Sequence, residues 1–495
     1  MNHGQTMSSN AQDEYQLVII GGGPGGVTAA RTAALQGWRV ALVSGGPLMG
    51  YGLDGAFKSK SMYEIARTYH AVQNRWKLLR ERQEIDFGRV YKANAQGAED
   101  IRVVHRSQLV SLGVEIIEGM AHFRDPHTIE VRMGDNGALK TIVGERFIVA
   151  TGTTPRMLPG VEADGRQIMI SDDIVELDRR PESILILGAG VIGCEFASIF
   201  AALGSKVVLV DTKPLIFSHD DRDLSVMLAC SLKQLEVDVF PSSRCKSMAL
   251  VEGMVHTDLG QDEPVVTEAA LVSIGRVPNT ASLNLEAAGV QLDRRGYIPI
   301  DNAMQSNVPH IYAVGDVGLR ETEHDLSLVH VAEAEGRAAV WQMMGDARSL
   351  STLHVPFLIF TLPMIAGAGM SEREARERFG DGIRVGKYAH ARNHRAHAMR
   401  SQDGFVKLVV APEGDDRVLG VRAIGEGVDS AVGEISMMIA HGLPYTYLLN
   451  AIQAHPSLSE SLQGAARIIA GDAVAYRPLE EYQHIVYLDH FGQEA

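Results

Sequence analysis

Two glycine-rich runs carry the first chemistry that the sequence offers. Gly21-Gly-Gly-Pro-Gly-Gly26 follows the apolar run Tyr15–Ile20 and leads into the alanine-rich stretch Val27–Gln36. Gly188-Ala-Gly-Val-Ile-Gly193 follows Ile184–Leu187 and leads into a stretch from about Cys194 to Leu203. Each reads as a buried parallel strand, a tight turn and a helix, with a further strand at Arg39–Val43 or Lys206–Val210. In such a loop the first glycine (Gly21, Gly188) permits the turn. The second (Gly23, Gly190) lets backbone approach a phosphate, and the third (Gly26, Gly193) lets helix and strand pack closely. The helix N-terminus adds free N–H groups and the positive end of a dipole. This is pyrophosphate-binding chemistry, and two copies predict two dinucleotide sites.

The residue closing the strand after each loop decides the ribose contact. In the second copy that residue is Asp211, whose carboxylate can accept from both hydroxyls of an adenosine ribose but repels a 2′-phosphate. The second site is therefore expected to prefer NADH. In the first copy the strand ends at Ser44, which offers a weaker, uncharged contact.

The elements needed to hold these loops fit the length. At roughly 100–200 residues per domain, 495 residues allow about three domains. The strand Phe147–Val149 runs into Ala-Thr-Gly152, and Pro155 with Pro159-Gly160 reads as a linker. Another strand, Ile311–Val314, ends at Gly315-Asp316. From about Arg348 the pattern becomes strands such as Phe405–Val410 and Val418–Ala423 followed by helices, a separate α+β domain. With 45% hydrophobic residues the chain can bury sizeable cores, which excludes a disordered or fibrous protein. A net charge of −15 argues against nucleic acid or anionic membrane as the main partner. Three cysteines without a CxxC pair exclude a disulfide scaffold. No apolar run spans a bilayer, and the polar start lacks the core of a signal peptide, so a soluble cytoplasmic chain is expected.

Seven motifs in order, GGGPGG, ATG (Ala150–Gly152), GAGVIGCE (Gly188–Glu195), GRVPN (Gly275–Asn279), YAVGDV (Tyr312–Val317), AEAEG (Ala332–Gly336) and HPSLSE (His455–Glu460), resemble the pyridine nucleotide–disulfide oxidoreductases, over about residues 15 to 470. The resemblance implies an α/β homodimer with two Rossmann-like domains and a C-terminal α+β dimerisation domain. Residues 1–14 would be a disordered N-terminus, 15–152 with 277–347 an FAD domain and 153–276 an NAD(P) domain. Residues 348–474 would be the interface domain and 475–495 an extension without a readable role. FAD would be held by Gly21, Gly23, Gly26, Ser44, Gly152, Asp316 and Ala332. Asp316 would bond the ribityl or phosphate end, and the helix beginning near Val331 would aim its dipole at the flavin. NAD(P)H, with NADH preferred, would be held by Gly188, Gly190, Gly193, Asp211 and Gly275.

The sequence departs from the family where its chemistry is most specific. The disulfide enzymes carry C-x4-C-x3-K after the second strand; here Gly55 and Lys60 hold the register and Tyr51 and Ala56 take the two cysteine positions. No cysteine precedes Cys194, and disulfide chemistry requires a thiolate. The chain is thus expected not to be a disulfide reductase. Lys60 and Glu195 are kept, and in the family they pair beside the flavin, where the ammonium can stabilise developing negative charge. His455 and Glu460 match the family's acid–base dyad, in which the carboxylate orients the imidazole.

These residues imply an FAD-dependent NAD(P)H oxidoreductase that passes electrons directly to a diffusible small-molecule acceptor. Tyr51, Lys60 and His455 would line its acceptor site. A soluble pyridine nucleotide transhydrogenase is one alternative, and a quinone or enone oxidoreductase with His455 as proton donor is another. A flavin- or nucleotide-binding protein without catalysis is the third. His390, His394 and His397 have suggestive spacing, but no cysteine or carboxylate completes a metal site, so none is expected. Cys194 is expected to behave as a small apolar residue.

Overall fold

The computed structural model describes residues 13–79, 84–134, 137–320, 327–346 and 354–471. The expected extension 475–495 lies outside them, as does most of the N-terminal segment. The chain forms two compact units. The first comprises Met1–Lys58, Asn94–Thr154 and Arg276–Leu350; the second comprises Ser59–Ala93, Pro155–Gly275 and Ser351–Ala495.

In the first unit an eight-stranded sheet runs in the order Asp13–Tyr15, Ala138–Gly144, Thr128–Met133, Glu115–Asp125, Val40–Ser44, Leu17–Ile20, Phe147–Val149, Ile311–Ala313. Leu17–Ile20 and Val40–Ser44 are buried along their whole length, as expected of parallel strands covered on both faces. The helix Pro24–Leu35 follows the first glycine loop and packs on Val329–Met343, where a Cβ at Gly336 would come within 2.3 Å of the Gly25 carbonyl oxygen. One expectation needs correcting. The disordered start was expected to reach residue 14, but Asp13–Tyr15 is a strand in parallel register with Ile142–Gly144, because backbone pairing does not require apolar side chains.

The second unit holds the second glycine loop in a five-stranded parallel sheet, ordered Asp238–Phe240, Lys206–Val210, Ser183–Leu187, Ala269–Val272, Ile168–Met169. It also holds a five-stranded antiparallel sheet, Phe357–Ile359, Ile365–Gly369, Val418–Ile424, Phe405–Val410, Arg384–Ala389, with the helices Asp429–Ala440 and Glu460–Ile469. Helix Lys58–His70 contributes Met62, Tyr63 and Ala66 to the same core as Phe196 and Phe200. That packing places residues 59–93 with the second glycine loop, whereas the motif order alone puts them with the first. Buried Lys407 ties the strand Phe405–Val410 to the start of helix Arg222–Gln234, reaching Asp221 and Asp223 at 2.8 Å, and to Glu372 at 3.3 Å. The α/β class, with two Rossmann-type folds and a C-terminal α+β sheet, agrees with the sequence.

Candidate active site

Both glycine loops have the geometry of a phosphate cradle. A Cβ on Gly26 would lie 2.0 Å from the Gly21 carbonyl oxygen, and one on Gly193 would lie 1.8 Å from that of Gly188, so neither position admits a side chain. At Gly190 a Cβ would meet nothing within 4 Å, and at Gly23 only the Ala150 carbonyl oxygen at 3.8 Å. The loops are therefore packed shut behind and open in front. Gly23 and Gly190 are the N-caps of helices Pro24–Leu35 and Val191–Leu203, and no side chain caps either helix. The N-terminal N–H groups are left for an anion. The residues present fit the pyrophosphates of FAD and NAD(P)H.

The strand-end residues differ in how far they are committed. The Ser44 hydroxyl is buried and donates to the Gly46 carbonyl at 2.8 Å, so toward a ribose it can only accept. Asp211 accepts from the Ala189 N–H at 2.6 Å through one oxygen and from the Lys213 N–H at 2.8 Å through the other. These two bonds brace the glycine loop and fix the carboxylate while leaving lone pairs for ribose hydroxyls.

In the first unit, Asp316 is half-buried and accepts from the Thr153 hydroxyl at 3.2 Å. Burial raises its pKa, and the Arg276 guanidinium opposes that rise. Arg276 donates to the Thr153 hydroxyl at 2.7 Å and to its carbonyl at 2.9 Å, and lies 4.5 Å from the centroid of the Tyr51 ring. A Cβ on Gly55 would sit 2.3 Å from the Tyr51 ring, so the ring lies flat across Gly55 and needs it. Tyr51 caps the wide helical turn Gly52–Phe57, and Ala56 lies within that turn. Asp54 in that turn is held by Arg102 at 2.8 Å, and Arg102 also donates to the Leu48 carbonyl. Gly152 has φ +65, and Ala332 is buried on Val329–Met343, whose start lies two residues before the expected one.

Lys60 and Glu195 meet in the second unit. The ammonium donates to both carboxylate oxygens at 3.1 and 3.3 Å, and stands 4.8 Å from the centroid of Phe360. Glu195 is 4% exposed and accepts a third bond from the Phe360 N–H at 2.9 Å. A buried carboxylate that accepts three such bonds, one donor being an ammonium, is compensated. Gly275 has φ +114, and its carbonyl accepts from the Arg156 N–H.

His455 Nδ1 lies 2.8 Å from Glu460, whose other oxygen accepts from the Ser457 N–H at 2.8 Å. Burial alone would raise the Glu460 pKa, but the bonds from Ser457 and His455 hold it below the ordinary value. The three clustered histidines separate. His390 is buried, His397 bonds the Ala391 carbonyl and Gln402, and His394 turns to His455. Among the described residues no group of three or more His, Cys, Asp or Glu stands together as a metal site. Cys194 is fully buried on Val191–Leu203, where burial pushes its thiol pKa up, and Cys230 and Cys245 are likewise free thiols. Among the described residues no helix is long and apolar enough to cross a membrane. Sequence reading missed Arg276, Phe360 and Asn393, and it weighed His394 only as a metal ligand. Arg276 was within reach, since it follows Gly275 inside GRVPN; Phe360 and Asn393 act through bonds between segments far apart in the chain.

Comparison with known proteins agrees with this geometry. Residues 15–336 match the family described as pyridine nucleotide-disulphide oxidoreductase, and residues 355–466 match its dimerisation domain. The chain is 33% identical over 465 residues to a dihydrolipoyl dehydrogenase of Bacillus subtilis, covering 92% of this chain and 99% of that one. It is 30% identical over 471 residues to the mitochondrial dihydrolipoyl dehydrogenase of Schizosaccharomyces pombe, covering 92% and 90%. Among solved structures, the Cu(II) complex of the HOCl-induced flavoprotein disulfide reductase RclA from Escherichia coli superposes with a TM-score of 0.82 at 28% identity, over 92% of this chain and all of that one. LpdA from Mycobacterium tuberculosis superposes with a TM-score of 0.84 at 26% identity, over 92% and 99%. With both family domains matched in order across most of its length, the chain belongs to the pyridine nucleotide–disulphide oxidoreductase family.

Proposed function

We propose that this family member oxidises NAD(P)H through FAD and hands the electrons directly to a diffusible acceptor, without a redox disulfide. The family's cofactors are FAD and NAD(P)H, and the two cradles suit them. When bound, FAD accepts hydride from the nicotinamide and releases the electrons onward. The observation that carries the departure is the pair Tyr51 and Ala56 in the register of the two cysteines. All three cysteines of the chain are free, and Cys194, the first of them, is fully buried on a different helix.

The chain's own residues support each part of this reading. Asp211 is braced to favour a 2′-hydroxyl over a 2′-phosphate, which makes NADH the preferred donor. The Lys60–Glu195 pair, kept where the family keeps it, supplies a fixed positive charge for the hydride step. The His455–Glu460 dyad supplies a proton donor with its tautomer set by the carboxylate. A transhydrogenase needs no such donor, so the dyad favours an acceptor that takes up a proton, such as a quinone or enone. The dimerisation domain makes a homodimer the proposed assembly.

The test is anaerobic reduction with NADH followed by a screen of acceptors for flavin reoxidation. Quinones or enones should reoxidise the flavin, whereas lipoamide and oxidised glutathione should not. Rapid turnover of either disulfide would overturn the proposal.

A further inference from the structure

His394 Nδ1 lies 3.5 Å from His455 Nε2, with the rings near perpendicular at 79° and their centroids 5.2 Å apart. That separation is at the outer limit of a hydrogen bond, too long for the two imidazoles to satisfy each other well. It is short enough for both nitrogens to reach one oxygen placed between and above them. Both side chains are exposed, so such an oxygen can arrive from solvent.

The arrangement is built rather than incidental. His394 opens the short helix His394–Ala398, whose cap is Asn393; its side-chain oxygen accepts from the Arg395 and Ala396 N–H groups. The other end of the same amide donates to the Ser457 carbonyl and the Ser461 hydroxyl, both at 2.9 Å. Asn393 is 3% exposed. One buried amide therefore locks the segment bearing His394 to the segment bearing His455 and Glu460. Glu460 then fixes His455 with its proton on Nδ1, which turns Nε2 outward toward His394. The charged or titratable groups whose contacts with the imidazole pair are defined are Glu460 alone from its helix and the two histidines themselves.

We propose that His394 and His455 together form a two-imidazole site for a carbonyl oxygen of the acceptor, which makes a quinone-type compound the substrate class. This rests on the proposed function above. With His455 protonated, its Nε2–H and the Nδ1–H of His394 both donate to the oxygen. Reduction of the quinone takes two electrons and one proton from NAD(P)H by way of FAD. The second proton comes from His455: its Nε2–H bond breaks, an O–H bond forms, and solvent reprotonates the neutral imidazole. His394 gives up no proton; it is a positioning residue that holds the oxygen and stabilises the charge building on it.

The test uses the holoenzyme with duroquinone, and with ferricyanide as an acceptor that takes electrons without a proton. His394→Ala should slow reoxidation by duroquinone by roughly tenfold or more. It should leave reduction by NADH and reoxidation by ferricyanide unchanged. His394→Asn, which keeps a neutral donor, should recover part of the loss. Duroquinone added to the oxidised enzyme should shift the imidazole NMR resonances of both histidines. If His394→Ala leaves the duroquinone step unchanged while His455→Ala slows it, His394 has no part and the proposal fails although the dyad stands. If neither variant slows it, the underlying reading fails as well. Equal slowing with ferricyanide would show general damage and also overturn the site.

Discussion

Asp211 and Lys60 show what single residues decide. Asp211 is doubly bonded to backbone N–H groups, so its charge is fixed where an adenosine ribose would lie. Asp211→Asn keeps one acceptor for the loop and removes the charge. The ratio of kcat/KM for NADH over NADPH should fall by roughly tenfold, about 1.4 kcal/mol. A native enzyme that already prefers NADPH would show that Lys213 or another base governs the pocket. Lys60→Met leaves Glu195 buried with only the Phe360 N–H of its present partners. Because Lys60 is a third exposed, the expected loss of stability is about 2 kcal/mol, below the range for fully buried pairs. Flavin reduction by NADH should slow by roughly a hundredfold, measured in a stopped-flow instrument. Glu195→Gln should restore most of the stability but not the rate. Residues at this scale were legible where one motif holds both partners, as in His455 and Glu460, or where a register fixes them, as with Lys60 and Glu195. Asn393 and Phe360 were not, because their bonds join segments far apart in the chain.

Elements turn these residues into sites, and the glycine loops make the point by contrast. Gly190→Ala meets no atom within 4 Å, so the protein should keep its melting temperature within about 2 °C. Its KM for NADH should rise by roughly tenfold or more, because the methyl group stands where the pyrophosphate approaches. Gly193→Ala would drive a methyl group into the Gly188 carbonyl and should destabilise the whole loop. Equal effects of the two changes would contradict the cradle. The turn His390–Arg392 makes a second point. His390 is fully buried, and among the described residues neither ring nitrogen has a hydrogen-bond partner, so burial pushes its pKa down to about 4. Between about 6.5 and 4 the unfolded chain takes up a proton that the folded chain refuses, so stability falls as pH falls through that window. His390→Leu should flatten this part of the acid limb, with a difference approaching about 3 kcal/mol near pH 4. Parallel denaturation curves for the two proteins from pH 7 to 4 would show that His390 is solvated or paired. Periodicity placed nearly every strand and helix of the loops within a few residues. It could not place the wide turn Gly52–Phe57, whose shape depends on Arg102 reaching Asp54 from another helix.

The whole molecule is organised by cores that the motif order does not reveal. The sequence reads as an FAD domain interrupted by an NAD(P) domain and followed by an interface domain, yet helix Lys58–His70 buries Met62, Tyr63 and Ala66 with Phe196 and Phe200, so the chain folds as two units divided differently. Apolar burial outweighs adjacency in the chain, and no local pattern states which core a helix will join. The segment matching the dimerisation domain leaves Ile452 wholly exposed, with Met437 and Tyr447 more than half exposed. Exposed apolar side chains in that segment fit burial against a second copy. Light scattering should give twice the chain mass, and Ile452→Asp should shift the protein toward monomer; a monomeric native protein would remove the basis for a homodimer. The central claim, that electrons leave the flavin without passing through a disulfide, is tested most directly by the stoichiometry of reduction. A flavin backed by a redox disulfide stores four electrons and needs two equivalents of NADH per FAD for full reduction. This protein should bleach its flavin band with one equivalent, under anaerobic titration and with no long-wavelength thiolate–flavin absorption on the way. A requirement for two equivalents, or a thiolate charge-transfer band at the midpoint, would contradict the account.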